Sequence, residues 1–258
     1  LMVGALAGTW LVSGIIPSMI YYGLQILSPA IFLPATVIIC SIISIATGSS
    51  WTTSATVGIA LIGVGGALGF DLGMVAGAVI SGAYFGDKLS PMSDTTNLAP
   101  AMAGTDLFTH IRYMTLTTIP TYIITMILFI VLGLSVDIKG DVNIEALLTD
   151  IEASFTISLW LFAVPAIVIG LIIRKTEPLI ALLFGTLLAG IFAILFQPHI
   201  INQIAGVEQM TFQSAYKGVM DAITGKIVIP TDNQTLAALF TSGGMEKMLG
   251  TIWLIICA

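Results

Sequence analysis

Long apolar segments recur along nearly the whole chain, and they constrain its fold more than any other feature. Hydrophobic residues make up 57% of the 258 residues, whereas charged residues make up 9%. A helix needs roughly 20 apolar residues to cross a bilayer, because each residue rises about 1.5 Å and the hydrocarbon layer is about 30 Å thick. The sequence therefore predicts an all-α, polytopic membrane protein whose first partner is the lipid bilayer.

The order of apolar and polar segments predicts how the chain is divided. We expect a first transmembrane repeat over 1–135, an acidic external loop over 136–156, a transmembrane helix pair over 157–196, a polar connector over 197–244 and the start of a further transmembrane helix over 245–258. Within the first span, Pro17 predicts a kink, since proline cannot donate a helical hydrogen bond.

The charges of the loops predict the orientation of the later spans. Short loops rich in Lys and Arg stay in the cytoplasm. Arg174 and Lys175 form such a link, which places the acidic loop outside and His110 with Arg112 inside. His110 is expected to anchor the interface rather than to relay protons.

Both ends of the chain lie inside apolar runs, so we expect a fragment of a longer protein. The final run contains Gly250-Thr251 and the opening run contains Gly8-Thr9, each near a tryptophan. Many transporters are built from two related halves around a midplane site. The sequence therefore predicts one inverted repeat plus the start of a second.

Two polar stretches interrupt the first repeat, and these are where we expect chemistry. The hydroxyl stretch, 47–56, reads T-G-S-S-W-T-T-S-A-T and carries seven hydroxyl groups. The carboxylate stretch, 87–100, reads D-K-L-S-P-M-S-D-T-T-N-L-A-P. Non-helical backbone at membrane depth must be buried in protein or face water. We expect both to be re-entrant or unwound, with a loop outside the membrane as the alternative for the hydroxyl stretch.

Asp94 is the first candidate for an ion-binding group, here for Na⁺, and Asp87 is the second. Burial in an apolar environment favours the protonated form of a carboxylate, so such a group can exchange protons. A small cation needs several oxygen ligands, which hydroxyls and the carbonyls of a broken helix supply. The expected ion-binding residues are Asp94, Asp87, Ser93, Thr95, Thr96 and Asn97, with Thr47, Ser49, Ser50, Thr52 and Thr53 as the facing wall.

Other charged residues near these stretches have simpler explanations. Asp71 is expected to be a turn residue between two short apolar runs. Asp87 and Lys88 could equally form a solvated pair in a loop. If Lys88 lies close to Asp94, its positive charge would keep that carboxylate ionised when the site is empty.

The composition and motifs exclude several classes of function. A net charge of -6 with few basic residues argues against a nucleic-acid partner, which requires a basic surface. The two histidines, His110 and His199, lie outside the polar stretches, and no H-E-x-x-H motif is present. We therefore expect no enzyme activity and no cofactor.

The polar stretches also resemble a known family. T-G-S-S-W-T-T-S-A-T-V-G at 47–58 looks like the polar signature of NhaC-type Na⁺/H⁺ antiporters. G-D-K-L-S-P-M-S-D-T-T-N-L-A-P and A-G-T-D-L-F-T-H-I-R, between Gly86 and Arg112, are similar to that family's longest motif. The resemblance extends over most of 1–135 and more loosely beyond.

This resemblance implies an ion-transporter fold with inverted repeats and re-entrant hairpins, in which Na⁺ is exchanged for H⁺. It also implies that the second repeat is missing, so a site shared between the halves would be incomplete here. Relatives within that family exchange malate and lactate coupled to H⁺ and Na⁺, which leaves an organic-acid antiporter as an alternative.

The sequence predicts a secondary active transporter of the cytoplasmic membrane that exchanges Na⁺ for H⁺ by alternating access. Na⁺ and H⁺ are its expected substrates, and a second copy of the chain is a candidate partner. A cation channel could use the same hydroxyls as a passive filter. A structural membrane subunit is the remaining alternative.

Overall fold

The computed structural model describes residues 1–91, 93–135, 144–174, 176–207, 209–231 and 234–257. In these ranges the chain is almost entirely helical, with one short antiparallel strand pair. The predicted all-α fold with broken helices is confirmed. The chain divides into two compact units, one formed by Leu1–Tyr22 with Asn143–Ala258 and the other by Gly23–Val142.

The first two helices form a broken pair. Helix α1 spans Met2–Val12 and α2 spans Ile15–Ile26, and their axes differ by 69°. The bend lies at Gly14, whose φ of 82° is in the left-handed region that favours glycine. The sequence predicted a kink at Pro17, and this position is wrong, because the bend lies three residues earlier, at Gly14. Pro17 falls in the first turn of α2, where no helical N–H bond is required.

The described residues of the unit Gly23–Val142 carry both polar stretches and form helices α3 to α8. They are α3 (Pro29–Thr47), α4 (Ser50–Thr53), α5 (Ile59–Ala67), α6 (Leu72–Leu89), α7 (Asp94–Ala103) and α8 (Leu107–Ser135). A π-helical turn at Ser54–Gly58 joins α4 to α5. Helices α3 and α6 pack along their lengths, and α8 packs against both.

Glycines allow α3 and α6 to approach closely. A Cβ atom built on Gly82 or Gly86 would collide with the carbonyl oxygens of Val37 and Ser41 on α3. The two glycines lie four residues apart, on one face of α6, which is the spacing of small residues at close helix interfaces in membranes. This packing brings the ends of α3 and α6 together.

Both polar stretches contain a helix break at these ends. Helix α3 ends at Thr47, and Gly48 follows with a left-handed φ of 68°. Helix α6 ends at Leu89, and the next helix begins at Asp94. Asp71 lies in the turn before α6, where its side chain accepts a hydrogen bond from the Met74 N–H at 3.0 Å. It acts as a helix cap, in keeping with the turn role expected of it.

The other unit is built on α1 and the remaining elements. They are α9 (Ile144–Ser154), a 3₁₀ turn at Leu159–Phe162, α10 (Ala163–Ile173), α11 (Pro178–Phe196), α12 (Pro198–Ala205), α13 (Phe212–Thr224), β1 (Ile227–Val228), α14 (Gln234–Leu239), β2 (Thr241–Ser242) and α15 (Gly244–Cys257). Helix α1 packs against α11, α13 and α15, and β1 pairs with β2. The core of this unit includes the buried side chains of Leu6, Trp10 and Leu11.

A second broken pair lies in this unit. Helix α9 and the segment Leu159–Ile172 differ in direction by 83°. The buried Gln197 side chain holds the break: its Oε1 accepts from the Thr156 N–H at 3.0 Å, and its Nε2 donates to the Thr156 carbonyl at 2.9 Å. Both backbone groups of the unwound Thr156 thereby have a hydrogen-bond partner.

Two segments predicted to be loops contain helices. Helix α9 occupies the second half of the predicted acidic loop 136–156, while 136–143 and Lys175 lie outside the described residues. The predicted polar connector 197–244 folds into α12, α13 and the strand pair. Helix α13 forms because small buried residues recur there at helical spacing: Ala215, Gly218 and Ala222.

Three helices among the described residues are long and apolar enough to cross a membrane. They are Pro29–Thr47, Leu107–Ser135 and Leu179–Phe196. The two broken pairs raise this number to five if each pair forms one span.

Candidate ion-binding site

The hydroxyl stretch forms a compact cluster after α3. Ser49 caps α4, since its Oγ accepts from the Thr52 N–H at 3.2 Å and from the Thr52 hydroxyl at 3.0 Å. The Thr47 and Thr53 hydroxyl oxygens lie 3.3 Å apart. Thr47, Thr52 and Thr53 are buried. The structure therefore brings these predicted wall residues together.

The oxygens of this cluster keep acceptor capacity for a cation. Thr53 Oγ1 donates to the Ser49 carbonyl at 2.9 Å, and Thr56 Oγ1 donates to the Thr52 carbonyl at 2.7 Å. Each hydroxyl oxygen has two lone pairs, so donating its proton to a carbonyl leaves it able to face a positive charge. The π-helical turn that follows is of a kind found frequently at functional sites.

A hydrogen bond between described residues joins the two polar stretches. The buried Ser50 hydroxyl donates to Asp87 Oδ2 at 2.9 Å. Asp87 lies in the last turn of α6 and is half-buried. Its carboxylate therefore faces the hydroxyl stretch.

The start of α7 is tied to the same turn of α6. The buried Thr96 hydroxyl donates to the carbonyls of Asp87 at 3.2 Å and Lys88 at 3.3 Å. Ser93 caps α7 by accepting from the Thr96 N–H at 3.4 Å. Thr96 is thus brought to the backbone of Asp87, where it closes the C-terminal end of α6.

Other members of the carboxylate stretch bond locally. Asn97 Nδ2 donates to the carbonyls of Pro91 at 2.8 Å and Ser93 at 2.7 Å, and the Ser93 and Thr95 hydroxyls lie 2.9 Å apart. These bonds shape the break between α6 and α7. Asp94 is the first residue of α7, and its side chain lies outside the described part of the structure, so its role stays a prediction.

Some residues that shape this site were not among the predicted ones. The buried Ser90 hydroxyl donates to the Ile45 carbonyl at 2.7 Å, which links the break after α6 to α3. The Ser44 hydroxyl on α3 donates to the Ala83 carbonyl on α6 and so joins these two helices before either one ends. Ser90 precedes Pro91 in the sequence, and this pattern of a hydroxyl beside a helix-breaking proline was the available signal.

Helix α8 contributes a second polar surface that sequence reasoning missed. Thr117, Thr121 and Thr125 line a pocket of about 370 Å³ against α6. In the same pocket the Phe85 and Tyr122 rings stack with centroids 3.8 Å apart. The signal was the four-residue spacing of threonines in an otherwise apolar span, which places them on one helix face.

The chemistry of the main cluster suits a monovalent cation. Among the described residues, no group of three or more His, Cys, Asp or Glu could hold a metal ion. The cluster instead offers one described carboxylate, Asp87, with several neutral oxygens around Ser50. One negative charge balances one positive charge, so a proton or an alkali cation satisfies such a site.

Comparison with known proteins places these features in a family context. A sequence model described as the Na⁺/H⁺ antiporter family matches residues 82–258. The malate-2H⁺/Na⁺-lactate antiporter of Bacillus subtilis strain 168 is 43% identical, over 98% of this chain and 52% of its own length. The Na⁺/H⁺ antiporter NhaC of Alkalihalophilus pseudofirmus is 38% identical, over 100% of this chain and 53% of its own.

A more distant relative has a different substrate in its name. The arginine/ornithine antiporter ArcD of Halobacterium salinarum is 34% identical, over 97% of this chain and 49% of its own length. The chain spans about half the length of the curated relatives it matches. No solved structure matches it.

Proposed function

Because the chain belongs to the Na⁺/H⁺ antiporter family, we propose that the protein exchanges Na⁺ for H⁺ by alternating access. The chain is a multi-pass membrane protein, and we propose the cytoplasmic membrane as its location. Opposing ion gradients supply the energy of such an exchange, so it needs no cofactor. A second copy of the chain is the proposed protein partner, which light scattering of the purified protein in detergent tests.

The hydrogen bond between Ser50 and Asp87 carries this proposal. It joins a carboxylate at the end of α6 to a buried cluster of hydroxyls at the end of α3. A deprotonated carboxylate supplies the negative charge that holds Na⁺, while the hydroxyl oxygens replace part of its water shell. Protonation removes that charge and releases the cation.

Competition for one carboxylate explains why the two ions are exchanged. Only the deprotonated site binds Na⁺, and only the Na⁺-free site takes up a proton, so the two species leave and enter in turn. We propose Asp94 as a second carboxylate of this site, because it begins α7 only a short way along the chain from Asp87. Two carboxylates would allow more than one proton per cycle.

The position of the site at helix breaks supports alternating access. Broken helices expose backbone groups to an ion and give the bundle places to bend. Here the ends of α3 and α6 both break beside the carboxylate, and Gly48 takes a left-handed φ that few other residues adopt.

A pH-sensitive dye in everted vesicles containing the full-length protein tests the proposed exchange. Addition of Na⁺ to acidified vesicles should raise the internal pH, with Li⁺ and K⁺ as comparison cations. A channel would instead pass cations down their gradient without moving protons against one. Absence of any cation-dependent proton flux would contradict the proposal and favour a structural subunit.

Exchange of organic acids coupled to Na⁺ and H⁺ is the second candidate. It is favoured by the 43% identity to a malate-2H⁺/Na⁺-lactate antiporter. Thr96 and Asn97 are poorly suited to bind the carboxylate of such a substrate, because the Thr96 hydroxyl and the Asn97 amide already donate to backbone carbonyls. Uptake of radiolabelled malate or lactate by the same vesicles distinguishes this candidate.

A further inference from the structure

The pocket between α6 and α8 lies beside the proposed ion site but is formed by different side chains. It has a volume of about 370 Å³, within the usual range for small-ligand pockets of about 300–1,000 Å³. Its walls come from two packed helices of one unit. The stacked rings of Phe85 and Tyr122 are fixed further by the Tyr122 hydroxyl, which lies 3.0 Å from Ser41 Oγ.

One charge dominates this pocket. Lys88 is exposed, and it is the only charged side chain among the described residues of the lining. Its ammonium group carries three donors and no acceptor. Since the rest of the lining is neutral, the pocket favours a ligand that carries an anionic group.

Two threonines of the α8 wall, Thr117 and Thr121, offer acceptors rather than donors. Thr117 Oγ1 donates to the Met114 carbonyl at 3.1 Å, and Thr121 Oγ1 donates to the Thr117 carbonyl at 2.8 Å. Their hydroxyl protons are therefore committed to the helix, while their lone pairs remain. Such oxygens repel an anionic group and accept a hydrogen bond from a hydroxyl. Lys88 therefore favours the anionic group of a ligand, and the threonine oxygens favour its hydroxyl group.

Lys88 also stands next to the proposed cation-binding carboxylate. Asp87 accepts from Ser50 on α4, whereas Lys88 lines the pocket against α8. Thr96 donates to the carbonyls of both residues and holds this turn of α6 in place. A cation site and an anion pocket therefore share a single helical turn.

We propose that this pocket binds a hydroxylated oxyanion, with the oxyanion at Lys88 and a ligand hydroxyl at Thr117 and Thr121. This goes beyond exchange of Na⁺ for H⁺, which needs no anion. Such chemistry occurs both in a free hydroxylated acid or phosphate ester and in the headgroup of phosphatidylglycerol. The proposal is tested by equilibrium binding of the ligand, so the result does not depend on whether Na⁺/H⁺ exchange is found.

Binding to the full-length protein tests the proposal with one probe from each source. Isothermal titration calorimetry in phosphatidylcholine nanodiscs measures sn-glycerol 3-phosphate, and the rise in melting temperature with added phosphatidylglycerol measures the lipid. At least one probe should bind saturably. Lys88→Gln should weaken that binding at least about tenfold, because a hydrogen bond to a charged group is lost, while Lys88→Arg should largely retain it.

Two further variants separate the site from effects on folding. Thr121→Val preserves side-chain shape but removes an acceptor, and it should weaken binding by about two- to tenfold. Lys226→Gln removes an exposed lysine of the other unit and should leave binding unchanged. Binding of the lipid alone would identify the bilayer as the source of the ligand. Failure of both probes to bind, or wild-type affinity in Lys88→Gln and Thr121→Val, would overturn the proposal.

Discussion

The Ser50 hydroxyl donates to Asp87 over 2.9 Å, and this bond holds the carboxylate against the short helix α4. At this scale the site consists of neutral oxygens arranged around one described charge. A hydroxyl that both donates to the carboxylate and keeps a lone pair can serve the empty and the occupied site. Loss of Ser50 should therefore alter affinity for the cation more than the rate of exchange.

Replacing Ser50 tests the role of this single bond. Ser50→Ala should raise the Na⁺ concentration for half-maximal exchange by about two- to tenfold, the equivalent of one hydrogen bond of about 0.5–1.5 kcal/mol. Ser54→Ala, in the adjoining π-helical turn, is the matched control. The dependence of dye fluorescence on Na⁺ gives the measurement. Equal Na⁺ dependence in the two variants would argue against a direct role for Ser50.

Individual residues differed in how far the sequence could predict them. Ser50 and Asp87 stood out because polar groups are rare in so apolar a chain, and burying them requires partners. Ser90 and the α8 threonines did not, since their importance arises from packing against other helices. That the Asp87 carboxylate meets the hydroxyl stretch depends on where α6 ends, and composition does not fix that residue.

At the scale of the helices, the close packing of α3 and α6 depends on the absence of side chains at two positions of α6. A Cβ at Gly86 would lie less than 3.0 Å from atoms of Ser41, Ser44 and Ile45. These are backbone or near-backbone atoms, so they cannot move aside without shifting α3. The ends that carry both helix breaks would then separate.

Substitution of these glycines tests that packing. Gly86→Ala should destabilise the protein by about 1–3 kcal/mol, as overpacking of a tight interface does. Gly77→Ala on the same helix should be neutral or stabilising, since its Cβ would meet only Phe129 at an ordinary 3.8 Å. Thermal unfolding of the full-length protein in detergent compares them. Identical melting temperatures of Gly86→Ala and Gly77→Ala would show that the interface between α3 and α6 accommodates a side chain at Gly86.

In the other unit, the side-chain amide of Gln197 bonds to both backbone groups of Thr156, and replacing it tests what holds the break after α9. Gln197→Leu removes both hydrogen bonds to the Thr156 backbone and should lower the free energy of unfolding by about 1–3 kcal/mol, at about 0.5–1.5 kcal/mol for each bond. Gln203→Leu, on the exposed side of α12, should have little effect. Hydrogen exchange at Thr156 provides a local reading. Unchanged protection of the Thr156 N–H from exchange in Gln197→Leu would show that the amide does not stabilise this break.

The sequence predicted some elements and not others for physical reasons. The helix breaks at the two polar stretches were predictable, because clustered hydroxyls compete for backbone hydrogen bonds and a proline disfavours helix at the residue before it. Helices α12 and α13 were missed, since their buried faces are short and their exposed faces are polar. The bend at Gly14 was assigned to Pro17 because proline breaks helices by itself, whereas glycine permits a bend that packing must select.

At the scale of the whole molecule, the chain spans about half the length of its curated relatives and already contains the two facing polar stretches. A cation site at two helix breaks and an anion pocket on the same turn of α6 would allow one cycle to couple ions of opposite sign. Relatives named for Na⁺, malate, lactate and arginine belong to the same set of matches. Substrate differences of this kind require changes around a common framework rather than a new fold.

The competition of Na⁺ and H⁺ for the carboxylates at the α6–α7 break is tested most directly by Na⁺-dependent proton flux in everted vesicles carrying the full-length protein. Asp87→Asn and Asp94→Asn should each lower this flux at least about tenfold, because an amide neither takes up a proton nor supplies the charge that holds Na⁺. Asp71→Asn keeps its helix cap, since asparagine caps as well as aspartate, and should exchange at nearly the wild-type rate. Wild-type flux in both Asp87→Asn and Asp94→Asn would contradict the account.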